Sequence, residues 1–280
     1  MTDIIDGKAI AAKLCAELKN KVDSFQLRPE LHAIIVGSDA ASKIYVKRKE
    51  DAATKVGIKS VIHELPENTS EVDLIALIWQ LNQNFKVSGI LVQLPLPKHI
   101  NQSTVIETIH QNKDVDCFHP INFGKLIAGN PRFVPCTPMA VIKLLESTNI
   151  ELKGASALII GRSMLVGTPT AIMLSKRDAT VTIAHSKTRN LRDLCEQAEI
   201  LVVAVGRPHM IPGSYIQKDA IIIDVGINRV SDKLIVGDVN FNDCFGIAGA
   251  ITPVPGGVGP MTIACLLENT VAAYHYNGGK

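Results

Sequence analysis

Short aliphatic runs alternate with amphipathic segments along the whole chain, the pattern of an α/β protein. In the first part, residues 31–36 form an apolar run closed by Gly37. Residues 40–56 have helical character up to Gly57, which suits a helix C-terminus. Residues 59–65 alternate as a strand does, and residues 70–82 read as a helix with Ser70 as its N-cap. Residues 89–93 make another buried strand. It must stop at Leu94-Pro95-Leu96-Pro97, because proline donates no ladder hydrogen bond.

Residues 113–138 are rich in Gly, Pro, Asn and Asp, and this stretch is expected to be the crossing between two domains. Beyond it, residues 155–160, 180–184, 200–205 and 220–225 are strand candidates at intervals of about twenty residues, with helices at 168–175 and 190–198. Repeated βα units of this length build a parallel, doubly wound sheet whose ligands lie at the carboxyl ends of the strands. A Gly/Pro loop after Ile251-Thr252-Pro253 leads into an apolar helix at 261–274. The expected fold is therefore α/β in two domains. Residues 1–120, joined by the helix at 261–280, form the first, and residues 121–260 form a Rossmann-like second.

Composition narrows the picture. Of 280 residues, 46% are hydrophobic and only 4% aromatic, so the core must be aliphatic. A net charge of +2 with scattered Lys and Arg argues against a nucleic-acid or membrane partner, while a small anionic substrate remains compatible. The six cysteines (Cys15, Cys117, Cys136, Cys195, Cys244 and Cys265) form no C-x-x-C pair. They read as reduced thiols, not as a disulfide frame or a zinc site. The N-terminal residues lack the layout of a signal peptide, and no apolar run reaches the ~20 residues of a membrane helix. A cytoplasmic protein is expected.

Two constellations carry candidate chemistry. In the first, residues 157–160 run as a strand into Gly161-Arg162-Ser163 and on to a helix opened by Gly167-Thr168-Pro169. Backbone amides at such a helix start can receive a pyrophosphate. The two glycines are six apart, which is not the G-x-G-x-x-G spacing, and an ordinary βα turn explains the string equally well. The next strand shifts the balance. An NAD site usually has an acid there for the ribose hydroxyls, whereas this chain has His185-Ser186-Lys187-Thr188-Arg189. A 2′-phosphate is welcome where a carboxylate would repel it, so NADP is favoured over NAD. A solvated basic loop is the plainer alternative.

The second constellation lies in the first domain. Tyr45 and Lys49 are four apart on an expected helix and so share one face. Gln93 ends a buried strand, and Asp116 sits in the loop Lys113-Asp114-Val115-Asp116. These groups could line one cleft. They could equally be a surface pair, a strand-end amide and a turn former. Y-x-x-x-K also occurs in short-chain dehydrogenases, but there the pair follows the glycine-rich turn, and here it precedes that turn by more than a hundred residues.

Read in order, these strings resemble the bifunctional methylenetetrahydrofolate dehydrogenase/methenyltetrahydrofolate cyclohydrolase family over nearly the whole chain. The likeness runs through Tyr45-x-x-x-Lys49, Gln93-Leu94-Pro95-Leu96-Pro97, Lys113-Asp114-Val115-Asp116, Pro135-Cys136-Thr137-Pro138, Gly161-Arg162-Ser163 and Asp224-Val225-Gly226-Ile227-Asn228. It closes on Pro255-Gly256-Gly257-Val258-Gly259-Pro260-Met261-Thr262. The resemblance implies a homodimer with two α/β domains around a cleft. It implies oxidation of 5,10-methylenetetrahydrofolate to the methenyl cation with NADP, and hydrolysis of that cation to 10-formyltetrahydrofolate. Folate contacts are implied on Tyr45, Val46, Lys47, Arg48, Lys49, Val92, Gln93, Leu94, Asp116, Pro255, Gly256, Gly257, Val258 and Gly259. NADP contacts are implied on Gly161, Arg162, Ser163, Ser186 and Ile227, and no metal is required.

The implied chemistry suits the residues. The methenyl group is an amidinium-like cation, so water attack needs a base more than an electrophile, and Lys49 is the candidate. A lysine amine is a poor base at neutral pH unless a bound cation and desolvation disfavour its charge. Gln93 could aim the amine, Asp116 could accept N–H donors of the pterin, and Tyr45 could lie along the aminobenzoyl ring. Two rivals remain at this point: a binding protein that kept the fold without turnover, and a dehydrogenase without the hydrolase. One departure from the family pattern is Cys117, where glycine normally follows K-D-V-D. If that position has positive φ, the cysteine adds strain.

Overall fold

The computed structural model describes residues 2–231 and 234–279. The chain opens with strand β1 (Asp3–Ile4) and helix α1 (Gly7–Asp23). Three βα pairs follow: β2 (Glu30–Val36) with α2 (Ala40–Val56), β3 (Lys59–Leu65) with α3 (Glu71–Gln83), and β4 (Val87–Val92) with α4 (Gln102–Thr108). Helices α5 (Pro120–Ala128) and α6 (Cys136–Glu146) come next. They lead into β5 (Ser156–Ile160), α7 (Gly167–Ser175), β6 (Thr180–Ala184), α8 (Leu191–Glu196), β7 (Ile200–Val203) and β8 (Ile221–Asp224). The antiparallel pair β9 (Asn228–Arg229) and β10 (Ile235–Val236), helix α9 (Phe241–Cys244), strand β11 (Ala250–Ile251) and helix α10 (Val258–Tyr276) follow.

The chain divides into two compact units, Ala12–Cys136 with Ile263–Lys280, and Met1–Ala11 with Thr137–Thr262. The first is built on a parallel three-stranded sheet in the order β3-β2-β4. Central β2 is buried from Leu31 to Val36, as a strand flanked on both sides must be. Leu74, Ile78 and Leu81 recur along one face of α3 and pack with Ile34, Val87 and Ile90. Each such fully buried aliphatic side chain contributes about 1.5–3 kcal/mol. Ser70 caps α3 by accepting from Asp73 N at 3.1 Å, and α2 stops at Gly57, both as expected.

The second unit is a six-stranded, all-parallel sheet in the order β6-β5-β7-β8-β11-β1. The chain moves outward from β5 to β6 and then returns to the far side of β5 with β7. That reversal makes the crevice at the carboxyl ends of β5 and β7 the expected ligand position.

Two expectations change. The stretch 113–138, expected only as the crossing between domains, contains α5 and the start of α6. His119 caps α5 by accepting from Ile121 N, Pro120 stands at the first turn, and Gly129 closes the helix at φ 87°. The proline and glycine that suggested a loop are helix punctuation. The partition also differs from the expected spans. Residues 121–136 group with the first unit, where Asn122 donates to Gln111 O and Asp114. Residues 1–11 group with the second, because β1 pairs with β11 and Ile5 N donates to Ile251 O at 2.9 Å.

Candidate functional site

The polar cluster of the first unit is built from one helix, one strand end and one loop. Lys49 projects from the middle of α2, which is started by Asp39 accepting from Ser42 N at 2.7 Å. Its Nζ donates to Gln93 Oε1 at 3.0 Å. Gln93 directly follows β4, and its Nε2 donates to Leu94 O at 2.8 Å, which fixes the amide with its oxygen towards the amine. Asp116 is close enough for the Lys49 charge to act on it. Burial pushes the Asp116 carboxyl up, Lys49 pulls it down and Asp114 pushes it up, with a net upward shift.

The loop that holds Asp116 is itself tied at both ends. Lys113 is buried and donates to Leu81 O, Asn82 O and Asn84 O, carbonyls of the last turn of α3 and its C-cap; burial lowers its pKa. Buried Asp114 accepts from Phe118 N, His119 N and Asn122 Nδ2 at the start of α5, and burial raises its pKa. Ile90 N donates to Lys113 O at 2.7 Å, laying the loop along β4, where Val115 fills the space above Gly89. Cys136 Sγ approaches Asp116 Oδ1 at 3.6 Å, and Asn269 Nδ2 donates to Val115 O and Val134 O at 2.8 Å. Cys117 has φ 61°, the positive value its position suggested; its thiol is buried and donates to Phe133 O at 3.3 Å. Lys113, Asp114, Cys136 and Asn269 were missed as supporting residues. Adjacent opposite charges at 113 and 114 were the available signal.

The other nominated folate residues differ in exposure. Tyr45 is half-buried, and burial raises its phenol pKa against a smaller lowering by Arg48. Val46 and Val92 lie in the core at 3% and 5% exposure, and Leu94 is half-buried. Lys47 and Arg48 are exposed, and Lys47 pairs with Glu50 and Asp51 along its own helix at 2.7 and 3.3 Å. Pro255–Gly259 belongs to the other unit; Pro255 is exposed, Gly256, Gly257 and Val258 are buried, and Gly259 is half-buried.

In the second unit, β5 ends at Ile160 and turns at Gly161, whose φ is 121°. A Cβ there would overlap Ala204 O, so only glycine lets the turn lie against the loop after β7. Helix α7 then starts at Gly167 with no side-chain hydrogen bond at its N-cap; Thr168 N donates to Ser163 O at 3.0 Å, tying the helix start to the turn, and Pro169 has no N–H. Arg162, Ser163, Ser186 and Ile227 are exposed, all on loops at the carboxyl ends of β5, β6 and β8. The turn and helix start therefore suit a dinucleotide. Among the described residues, no group of three or more His, Cys, Asp or Glu is arranged to hold a metal.

Comparison with known proteins bears on both units. Residues 5–116 match the family model described as tetrahydrofolate dehydrogenase/cyclohydrolase, catalytic domain. Residues 135–278 match its NAD(P)-binding domain. The bifunctional protein FolD of Acetivibrio thermocellus is 50% identical over 273 residues, covering 96% of each chain. That of Magnetococcus marinus is 52% identical over 275 residues, covering 97% of this chain and 96% of its own. Among solved structures, the Campylobacter jejuni FolD dehydrogenase/cyclohydrolase superimposes with a TM-score of 0.96 at 46% identity, covering 99% of this chain and 100% of its own. The Trypanosoma brucei FolD, solved with NADP and an inhibitor, gives 0.95 at 38% identity, covering 98% of both chains.

Proposed function

The chain belongs to the tetrahydrofolate dehydrogenase/cyclohydrolase family, and from that premise we propose that it catalyses both family reactions with NADP. It oxidises 5,10-methylenetetrahydrofolate to the methenyl cation and hydrolyses that cation to 10-formyltetrahydrofolate. The observation that carries the reading is the Lys49–Gln93 hydrogen bond at 3.0 Å, with Asp116 beside it, in the unit whose residues match the catalytic domain.

In hydrolysis, the Lys49 amine takes the proton of the attacking water, while Gln93 Oε1 accepts one amine N–H and leaves the lone pair free. Asp116, as a carboxylate, accepts the paired N–H donors of the pterin. Its raised pKa means that folate affinity declines on acidification at a higher pH than for an ordinary carboxylate. Tyr45 supplies an aromatic face for the aminobenzoyl group. The Gly161–Ser163 turn and the start of α7 would hold the pyrophosphate, Arg162 and Ser186 would bind a 2′-phosphate, and Ile227 would add an apolar contact. The bound nicotinamide supplies the hydride acceptor.

The reading extends to a homodimer working in the cytoplasm, in the one-carbon metabolism that supports purine, histidine and methionine synthesis; the resemblance supports this. Incubation with methylenetetrahydrofolate and each nicotinamide cofactor tests the function. Methenyl absorbance should rise with NADP, less with NAD, and then decay. No rise with either cofactor contradicts it.

A further inference from the structure

Beneath the crevice of the six-stranded sheet lie two buried carboxylates, Asp224 at 3% exposure and Asp238 at 0%. Asp224, the last residue of β8, accepts from Gly226 N and Asp238 N through Oδ1, at 2.9 and 3.0 Å, and from Val239 N through Oδ2 at 2.9 Å. Asp238 accepts from Val205 N and Gly206 N through Oδ2, at 2.7 and 3.0 Å. Its Oδ1 accepts from Arg207 N at 2.7 Å and Asn228 Nδ2 at 2.8 Å. Each carboxylate rests on a glycine of the other segment. A Cβ at Gly226 would overlap the Asp238 carboxyl, and one at Gly237 would overlap the Asp224 carboxyl.

We propose that Asp224 and Asp238 form a reciprocal brace that shapes the loops after β7 and β8, making Asp238 a positioning residue for the dinucleotide. The inference rests on the NADP reading above and adds what holds that site in shape. Three consecutive amides, 205–207, form a concave anion nest, and the chain's own Asp238 fills it. The loop after β7 therefore serves as a wall, and the cofactor phosphates are left to the Gly161 turn and α7. The wall is coupled to that turn through direct contact. Ala204, next to Val205, donates its N–H to Ile160 O at 2.8 Å, and its carbonyl abuts the α-carbon of Gly161. On the other side, Ile227 lies between Gly226, tied to Asp224, and Asn228, tied to Asp238.

Asp238→Asn keeps the shape and replaces one accepting oxygen with an NH2 group, which faces two donors in either orientation. Losing hydrogen bonds to a charged acceptor predicts weaker binding of both NADP and NAD by about tenfold in a calorimetric titration. Hydrolysis of the methenyl substrate, which consumes no dinucleotide, should stay within about twofold of the unmodified rate. Affinity within about twofold of the unmodified protein overturns the brace, as does parallel loss of hydrolysis, which marks a general folding role. Should that variant not fold, Asn228→Ser removes one arm alone and should weaken NADP by ~3-fold; no change there also overturns the proposal. If the unmodified protein binds neither nucleotide, the NADP reading itself has failed, which is a distinct result.

Discussion

The two candidate regions are made differently. In the first unit, chemistry is presented by side chains: an amine from α2, an amide after β4 and a carboxylate from the loop that Lys113 and Asp114 tie down. In the second, the dinucleotide region is mostly shaped backbone, namely a glycine turn, a helix start without a side-chain cap and two loops held by buried Asp224 and Asp238. A side-chain site fails when one reactive group is removed. A backbone site fails when the groups that shape it are removed, even though they touch no ligand.

Lys49→Met is the sharpest probe of the first region and carries the largest expected effect. It removes the amine and keeps most of the volume, so methenyl hydrolysis should fall at least ~100-fold, the scale of losing a general base. Methylenetetrahydrofolate oxidation, which moves no proton to the enzyme in its chemical step, should fall less. Unchanged hydrolysis assigns the base elsewhere.

The second region has its own pH signature. Burial pushes the Asp224 carboxyl up to about 7, with Asp238 adding to the rise and three backbone N–H bonds opposing it. Between about pH 4 and pH 7 the folded protein keeps this proton while the unfolded chain releases it. The Asp224 contribution is therefore fully present below the unfolded pKa and is lost as pH rises through about 7, by up to about 1.4 kcal/mol per pH unit. The difference in urea midpoint between the unmodified protein and Asp224→Asn should follow that slope, and a flat difference removes Asp224 as its source.

Smaller effects refine the contrast. Arg162→Ala should raise the KM for NADP several-fold and that for NAD little, because one charge-assisted bond to the 2′-phosphate is lost. Equal use of NADP and NAD by the unmodified protein contradicts that role. Cys117→Gly is the smallest. Glycine relieves the positive φ of 61°, which favours the variant by roughly 1 kcal/mol, but it forfeits a buried thiol bonded to Phe133 O. The two terms nearly cancel, so the unfolding free energy from urea titration should change by about 1 kcal/mol or less. A larger loss means that packing outweighs strain.

The same contrast explains what was legible in the sequence. Alternation gave the parallel strands because buried strands carry runs such as Ile200–Val203, and β3 and β6 fall at their expected limits. Helix α5 was hidden because its caps, His119-Pro120 and Gly129, have the composition of a loop. Spacing linked Tyr45 with Lys49, but only the ordered family strings joined Lys49 to Gln93 and Asp116, 44 and 67 residues further on. The Asp224–Asp238 brace was invisible. Its meaning lies in which glycine faces which carboxylate, a tertiary fact that a period of 2 or 3.6 does not encode.

The two regions should fail independently, one through a side chain and the other through its backbone supports. The direct measurement is a crossed assay, in which Lys49→Met and Asp238→Asn are each tested for methenyl hydrolysis and for equilibrium binding of NADP. Lys49→Met should lose hydrolysis at least ~100-fold and keep NADP affinity, while Asp238→Asn should lose about tenfold in affinity and keep hydrolysis. Either variant losing both properties together would contradict that independence.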